Sequence, residues 1–151
     1  MLTSYFGEKA GQGTNPHKAS CARETTGPSK PRIVIIEDEF FVAWNLQTTL
    51  RDLNFDFCEI AGDAESGIDL AIRQEAELLL VDINLGDGAD GVEAVRRIRE
   101  YREVAVIFIT AYTDEANLSR IRQQMPEAPI LSKPASADLL VTTIRKFFPR
   151  I

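Results

Sequence analysis

Leu78-Leu79-Leu80-Val81-Asp82-Ile83-Asn84-Leu85-Gly86-Asp87-Gly88 decides the fold, because an aliphatic run ends abruptly there in a carboxylate followed by turn residues. A short apolar run bounded by polar residues and glycine predicts a strand buried on both faces. A parallel strand of that kind points its carboxyl end at the crevice where open α/β sheets bind ligands. Asp82 is then expected on the floor of the crevice. The plainer alternative is that Asp82 caps the following turn, as Asp does at strand ends.

The other strand ends favour chemistry. Arg32-Ile33-Val34-Ile35-Ile36 is a second apolar run and stops at Glu37-Asp38-Glu39. Val104-Ala105-Val106-Ile107-Phe108-Ile109 is a third and stops at Thr110-Ala111, while the short run Ile130-Leu131 leads to Ser132-Lys133-Pro134. If these strands are parallel neighbours, carboxylates, a hydroxyl and an ammonium converge on one edge of one sheet. A purely structural sheet has no need of that gathering. Seen singly, Lys133 would be the partner of a buried salt bridge and Thr110 an ordinary β-branched strand residue.

Between the strands, helical spacing recurs. Val42, Leu46, Thr49, Leu50 and Leu53 predict a helix over about Phe40 to Leu53, with Trp44 off the stripe. A strand over Phe57 to Ala61 precedes Asp63, an N-cap for a helix over Ala64 to Arg73 that buries Ile68, Leu70, Ala71 and Ile72. After the Asp82 loop, Val92, Val95 and Ile98 face the core from a helix ending near Arg102. Thr113-Asp114 opens a helix over Glu115 to Gln124. Ser136 opens the last, running to Phe147 or Phe148 with Leu139, Leu140, Ile144 and Phe147 inward. Five strand-helix alternations predict an α/β fold: a doubly wound parallel sheet with helices on both faces.

Composition narrows the setting. The 151 residues suit one domain, and 44% hydrophobic with 26% charged residues is ordinary for a globular protein. Residues 1–30 mix Gly, Ser, Thr, Pro and Lys without a usable period and are expected to form a flexible leader, leaving 31–151 as the folded domain. Tyr5-Phe6 would be a small docking element at most. His17, the only histidine, lies in that leader without a helical partner surface. The leader carries four basic and two acidic residues; the rest carries 13 and 21, a net charge of −8. Such a domain favours cations and basic partners over a nucleic-acid backbone. Cys21 and Cys58 lack metal-ligand spacing, and no secretory signal or membrane-spanning run is present, so a reduced, cytoplasmic setting is expected.

An acidic pair after the first strand, Glu37-Asp38, then Asp82 after the third, Thr110-Ala111 after the fourth and Lys133-Pro134 after the fifth resemble the receiver domain of two-component response regulators. The resemblance covers residues 31 to 148. It implies a flavodoxin-like sheet of order 2-1-3-4-5, with the first and third strands side by side. It also implies that Asp82 is the phosphoacceptor, with Thr110 and Lys133 contacting the phosphoryl oxygens. Mg2+ would be held by Asp38 and Asp82, by Glu37 directly or through water, and by the backbone carbonyl of Asn84. The donor would be a phosphohistidine on a sensor histidine kinase or histidine phosphotransfer protein. The chain would catalyse only its own phosphorylation and dephosphorylation.

Several positions depart from the family pattern. Glu37 replaces a frequent Asp, and Ile130 stands where many receivers carry a switch aromatic. Tyr112 is a substitute for that aromatic, expected to screen an acyl phosphate from water. Gly86 replaces a common proline and Gly91 falls one residue late, so the loop is expected to be longer and more mobile. No helix-turn-helix region follows the last helix, so the expected output is binding to a protein target, not DNA. A phosphorylation-independent adaptor is the competing reading. An aspartyl phosphatase is disfavoured by Asn84, which stands where such enzymes place a second acid, and flavin binding by the lack of a phosphate-cradling loop after the first strand.

Overall fold

The computed structural model describes residues 30–86, 89–111 and 115–151. Strands β1 (Ile33–Ile36), β2 (Cys58–Ala61), β3 (Leu78–Val81), β6 (Ala105–Thr110) and β7 (Ile130–Ser132) form one sheet of order β2-β1-β3-β6-β7. Every pairing in it is parallel. Counted among these five strands alone, that is the expected order 2-1-3-4-5. The two remaining strands, β4 (Asn84–Leu85) and β5 (Ala89–Asp90), pair antiparallel with each other in the loop after Asp82.

Among the described residues, five helices cover the sheet: α1 (Phe40–Asp52), α2 (Ala64–Arg73), α3 (Gly91–Arg99), α4 (Glu115–Gln124) and α5 (Ala137–Phe147). Alternation along each strand divides the core. Val34, Ile36, Leu79 and Val81 pack with Ile68 and Ala71 of α2, Val92, Val95 and Ile98 of α3, and Ile121 of α4. Ile33, Ile35, Leu78 and Leu80 pack on the opposite face with Ala43, Leu46 and Leu50 of α1 and with Leu140 and Ile144 of α5. All residues of β1 and β3 are buried, as expected of strands covered on both faces.

Differences from the sequence reading have local causes. Leu139, expected inward, is 45% exposed. The buried stripe of α5 runs through Leu140, Thr143 and Ile144, one position round from Leu139. Thr143 enters that stripe because its Oγ1 donates to the Leu139 carbonyl at 2.7 Å, satisfying the hydroxyl within the helix. Helix α3 stops at Arg99, short of Arg102: the N–H groups of Glu100 and Tyr101 turn back to the carbonyls of Arg97 and Ile98, tightening the last turn. Leu70 and Ile72 are half-buried. Within the stretch after Asp82, Asn84 pairs opposite Asp90 and Leu85 opposite Ala89, an antiparallel pairing that the sequence reading did not include.

Candidate functional site

Register brings the acidic residues together. Ile36 pairs with Val81, so the next residue on each strand, Glu37 and Asp82, leaves the same sheet edge side by side. The Asp82 N–H donates to the Ile36 carbonyl at 2.9 Å, and the Glu37 N–H to the Ala61 carbonyl at 3.0 Å. The central ladder therefore continues under both carboxylates. Thr110 ends β6 and is fully buried, and its carbonyl accepts from the Lys133 N–H at 3.0 Å. The four residues reach one site from four different strands.

Lys133 lies between the buried acids. Its Nζ donates to Asp82 Oδ2 at 2.6 Å and lies 2.6 Å from Glu37 Oε2, with the exposed Glu39 at 3.9 Å. The Lys133 ammonium is thus the partner of the buried Glu37 Oε2 as well as of Asp82. Burial raises the Glu37 carboxyl above its ordinary range, against the pull of Lys133, and the Asp82 charge adds to the rise. Burial alone would lower the Lys133 ammonium, but its bonds and attraction to Asp82 and Glu37 outweigh that and raise it. The other Asp82 oxygen, Oδ1, accepts from the Asn84 N–H at 3.3 Å. Asp82 is thus both a loop cap and a member of the charged group.

Glu37, Asp38 and Asp82 each offer a carboxylate oxygen, all within 4.8 Å of one another. Against one ammonium, three carboxylates leave an excess of negative charge, and a hard divalent cation is the species that relieves it. An all-oxygen donor set of clustered carboxylates fits Mg2+. Asn84 is exposed at the start of β4, beside this group.

Two glycines shape the approach. A Cβ on Gly91 would stand 1.9 Å from the Asp82 carbonyl oxygen, so only hydrogen fits there. Gly86 has φ +44°, and a Cβ there would lie 2.9 Å from Asp38 Oδ2. Ile130 is a half-buried aliphatic packed on the core face of β7. Tyr112 lies outside the described residues. The sequence reading missed the bidentate pair between Arg120 and Asp90, although Asp90 before a helical pattern was a legible N-cap signal.

Residues 33–145 match the response regulator receiver domain model. The chain is 34% identical over 93 residues to the phyllosphere-induced regulator PhyR of Methylorubrum extorquens, covering 61% of this chain and 35% of that protein. It is 28% identical over 121 residues to a probable chemotaxis protein CheY of Rhizobium etli, covering 79% and 93%. The solution structure of the PhyR receiver domain of Erythrobacter litoralis superposes with a TM-score of 0.65 at 30% identity, over 78% of this chain and 89% of that one. The chain spans about a third of the length of the Methylorubrum protein and nearly all of the CheY relative. With the family model spanning most of the chain, and with five parallel strands in receiver order, this chain belongs to the response regulator receiver domain family.

Proposed function

We propose that this protein is a phosphoacceptor of two-component signalling, taking a phosphoryl group onto Asp82 from a phosphohistidine of a sensor kinase or phosphotransfer protein. The observation that carries the reading is the buried Asp82 carboxylate at the end of β3, bonded to Lys133 at 2.6 Å beside Glu37 and Asp38. An Asp82 oxygen attacks phosphorus, the P–N bond breaks, and its electron pair stays with the donor histidine. The Asp82 bond to Lys133 exchanges for a bond from Lys133 to a phosphoryl oxygen, and the Thr110 hydroxyl donates to another. Transfer of this kind needs mainly alignment and neutralisation of oxygen charge. Mg2+ would be held by Asp38 and Asp82, by Glu37 directly or through water, and by the Asn84 carbonyl, and would supply further neutralisation. Water attack on phosphorus later returns the carboxylate and releases inorganic phosphate. Tyr112 is assigned a screening role against that water; Tyr112→Ala should shorten the lifetime of the phosphorylated form, and an unchanged lifetime removes the assignment.

Intact-protein mass after incubation with acetyl phosphate and Mg2+ tests the reading. Wild type should gain one phosphoryl group, and Asp82→Asn or added EDTA should abolish the gain. The output is contact with a protein target, through the face built by α4, β7 and α5, whose populations shift with phosphorylation. The aliphatic Ile130 in place of a switch aromatic favours a second reading, a phosphorylation-independent adaptor. Failure to accept phosphoryl from both acetyl phosphate and a histidine kinase would favour the adaptor.

A further inference from the structure

Asp90 and Arg120 stand outside the group assigned to phosphoryl chemistry, yet they join it to α4. Asp90 Oδ1 accepts from the Val92 N–H at 2.9 Å, capping α3, and from Arg120 Nη2 at 3.0 Å. Its Oδ2 accepts from Arg120 Nη1 at 2.6 Å. The two side chains are 30% and 37% exposed, and Arg120 Nε is buried without a hydrogen-bond partner, so the two bonds to Asp90 orient the guanidinium. Ile121 is the buried residue of α4 among those described, with Met125 just beyond the helix end.

On its other side Asp90 is tied to Asp82. The Gly91 N–H donates to the Ile83 carbonyl at 2.9 Å, and Gly91 packs so closely on the Asp82 carbonyl that a Cβ would come within 1.9 Å of it. Asp90 also pairs across the ribbon with Asn84, whose N–H donates to Asp82 Oδ1 at 3.3 Å. A shift of the Asp82 backbone or carboxylate therefore reaches Asp90 through one close contact and one hydrogen bond.

We propose that the Asp90–Arg120 fork couples the state of Asp82 to the placement of α4, with both residues acting as positioning residues. What changes at Asp82 rests on the phosphoacceptor reading; the coupling itself does not. A two-toothed guanidinium–carboxylate pair tolerates little displacement, so a small movement of Asp90 releases one tooth and frees a helix with a small buried anchor. Coupling of this kind is reciprocal: loosening α4 must also loosen the Asp82 loop.

Amide hydrogen exchange followed by NMR on the full chain tests it, using wild type, Arg120→Gln, Asp90→Asn and the double variant. Asn keeps the cap on α3 while removing the charge that the fork needs. In unphosphorylated protein each single variant should exchange about three- to tenfold faster in α4, and residues 83–86 should accelerate as well, with the double variant no faster than either single. If α4 accelerates while residues 83–86 keep the wild-type rate, or if the two effects add, the coupling is overturned whether or not Asp82 takes phosphate. After acetyl phosphate and Mg2+, with phosphoryl gain read by mass, the wild-type change in α4 exchange should shrink at least about twofold in each variant. Full retention, or a phosphorylated wild type with no change in α4, also overturns the coupling. No phosphoryl gain in wild type counts against the phosphoacceptor reading, and the unphosphorylated comparison still decides the fork.

Discussion

At the scale of single residues, Gly91 shows how tightly the site is built. Gly91→Ala places a methyl group on the Asp82 carbonyl, so backbone must move. The expected result is a loss of about 1–3 kcal/mol in denaturant unfolding, with slower phosphoryl uptake because Asp82 moves with it. A variant of unchanged stability and uptake would show that the loop adjusts freely. Cys58 presents the opposite case. Its buried thiol is pushed up to about 12 by desolvation, so almost no thiolate is present at neutral pH. A thiol reagent should leave Cys58 unmodified in the folded protein and react promptly in denaturant; fast native reaction would contradict its burial.

At the scale of elements, neighbouring residues of α5 separate pattern from packing. Leu140→Ala should destabilise by about 2–5 kcal/mol, the range for emptying a buried leucine site. Leu139→Ala, on the exposed side, should stay within about 0.5 kcal/mol. Equal losses at the two positions would mean that α5 is rotated from the orientation described. The start of α2 offers a pH test. Asp63 accepts from the Ser66 N–H at 2.9 Å, which holds its carboxyl below the ordinary carboxylate range. A lowered folded pKa contributes stability that is present above the unfolded value, about 3.9, and is lost as pH falls through the folded one. Asp63→Ala should therefore cost about 1 kcal/mol at neutral pH, and the difference from wild type should shrink on acidification. A gap that widens toward low pH would refute the cap.

At the scale of the whole molecule, negative charge is concentrated where β1 and β3 end. Mg2+ should therefore stabilise the folded chain by mass action, by about 2.7 kcal/mol at a hundredfold excess over its Kd. Thermal melting with and without Mg2+ reads this directly. Asp38→Asn removes one of the repelling charges, so the metal-free melting temperature should hold or rise, and the rise with Mg2+ should be abolished. A rise that survives the substitution would place the ion elsewhere.

The aliphatic runs by themselves determined the three central strands, β1, β3 and β6, because an apolar segment with no polar face has to be covered on both sides. Asp63 and Ser136 likewise announced their helices, because a side-chain cap is a local interaction. Glu37, Asp38, Asp82, Thr110 and Lys133 could be singled out for a related reason: each follows an apolar run directly or one residue later. Their convergence was decided by register, since Ile36 opposite Val81 sets Glu37 beside Asp82. Only the tertiary structure showed that Lys133 contacts two carboxylates, that the Asp82 loop forms a ribbon, and that Leu139 faces outward. The Asp90–Arg120 pair spans 30 residues and belongs to no local period. Such contacts arise when separate elements pack, and nothing in the spacing along either element encodes them.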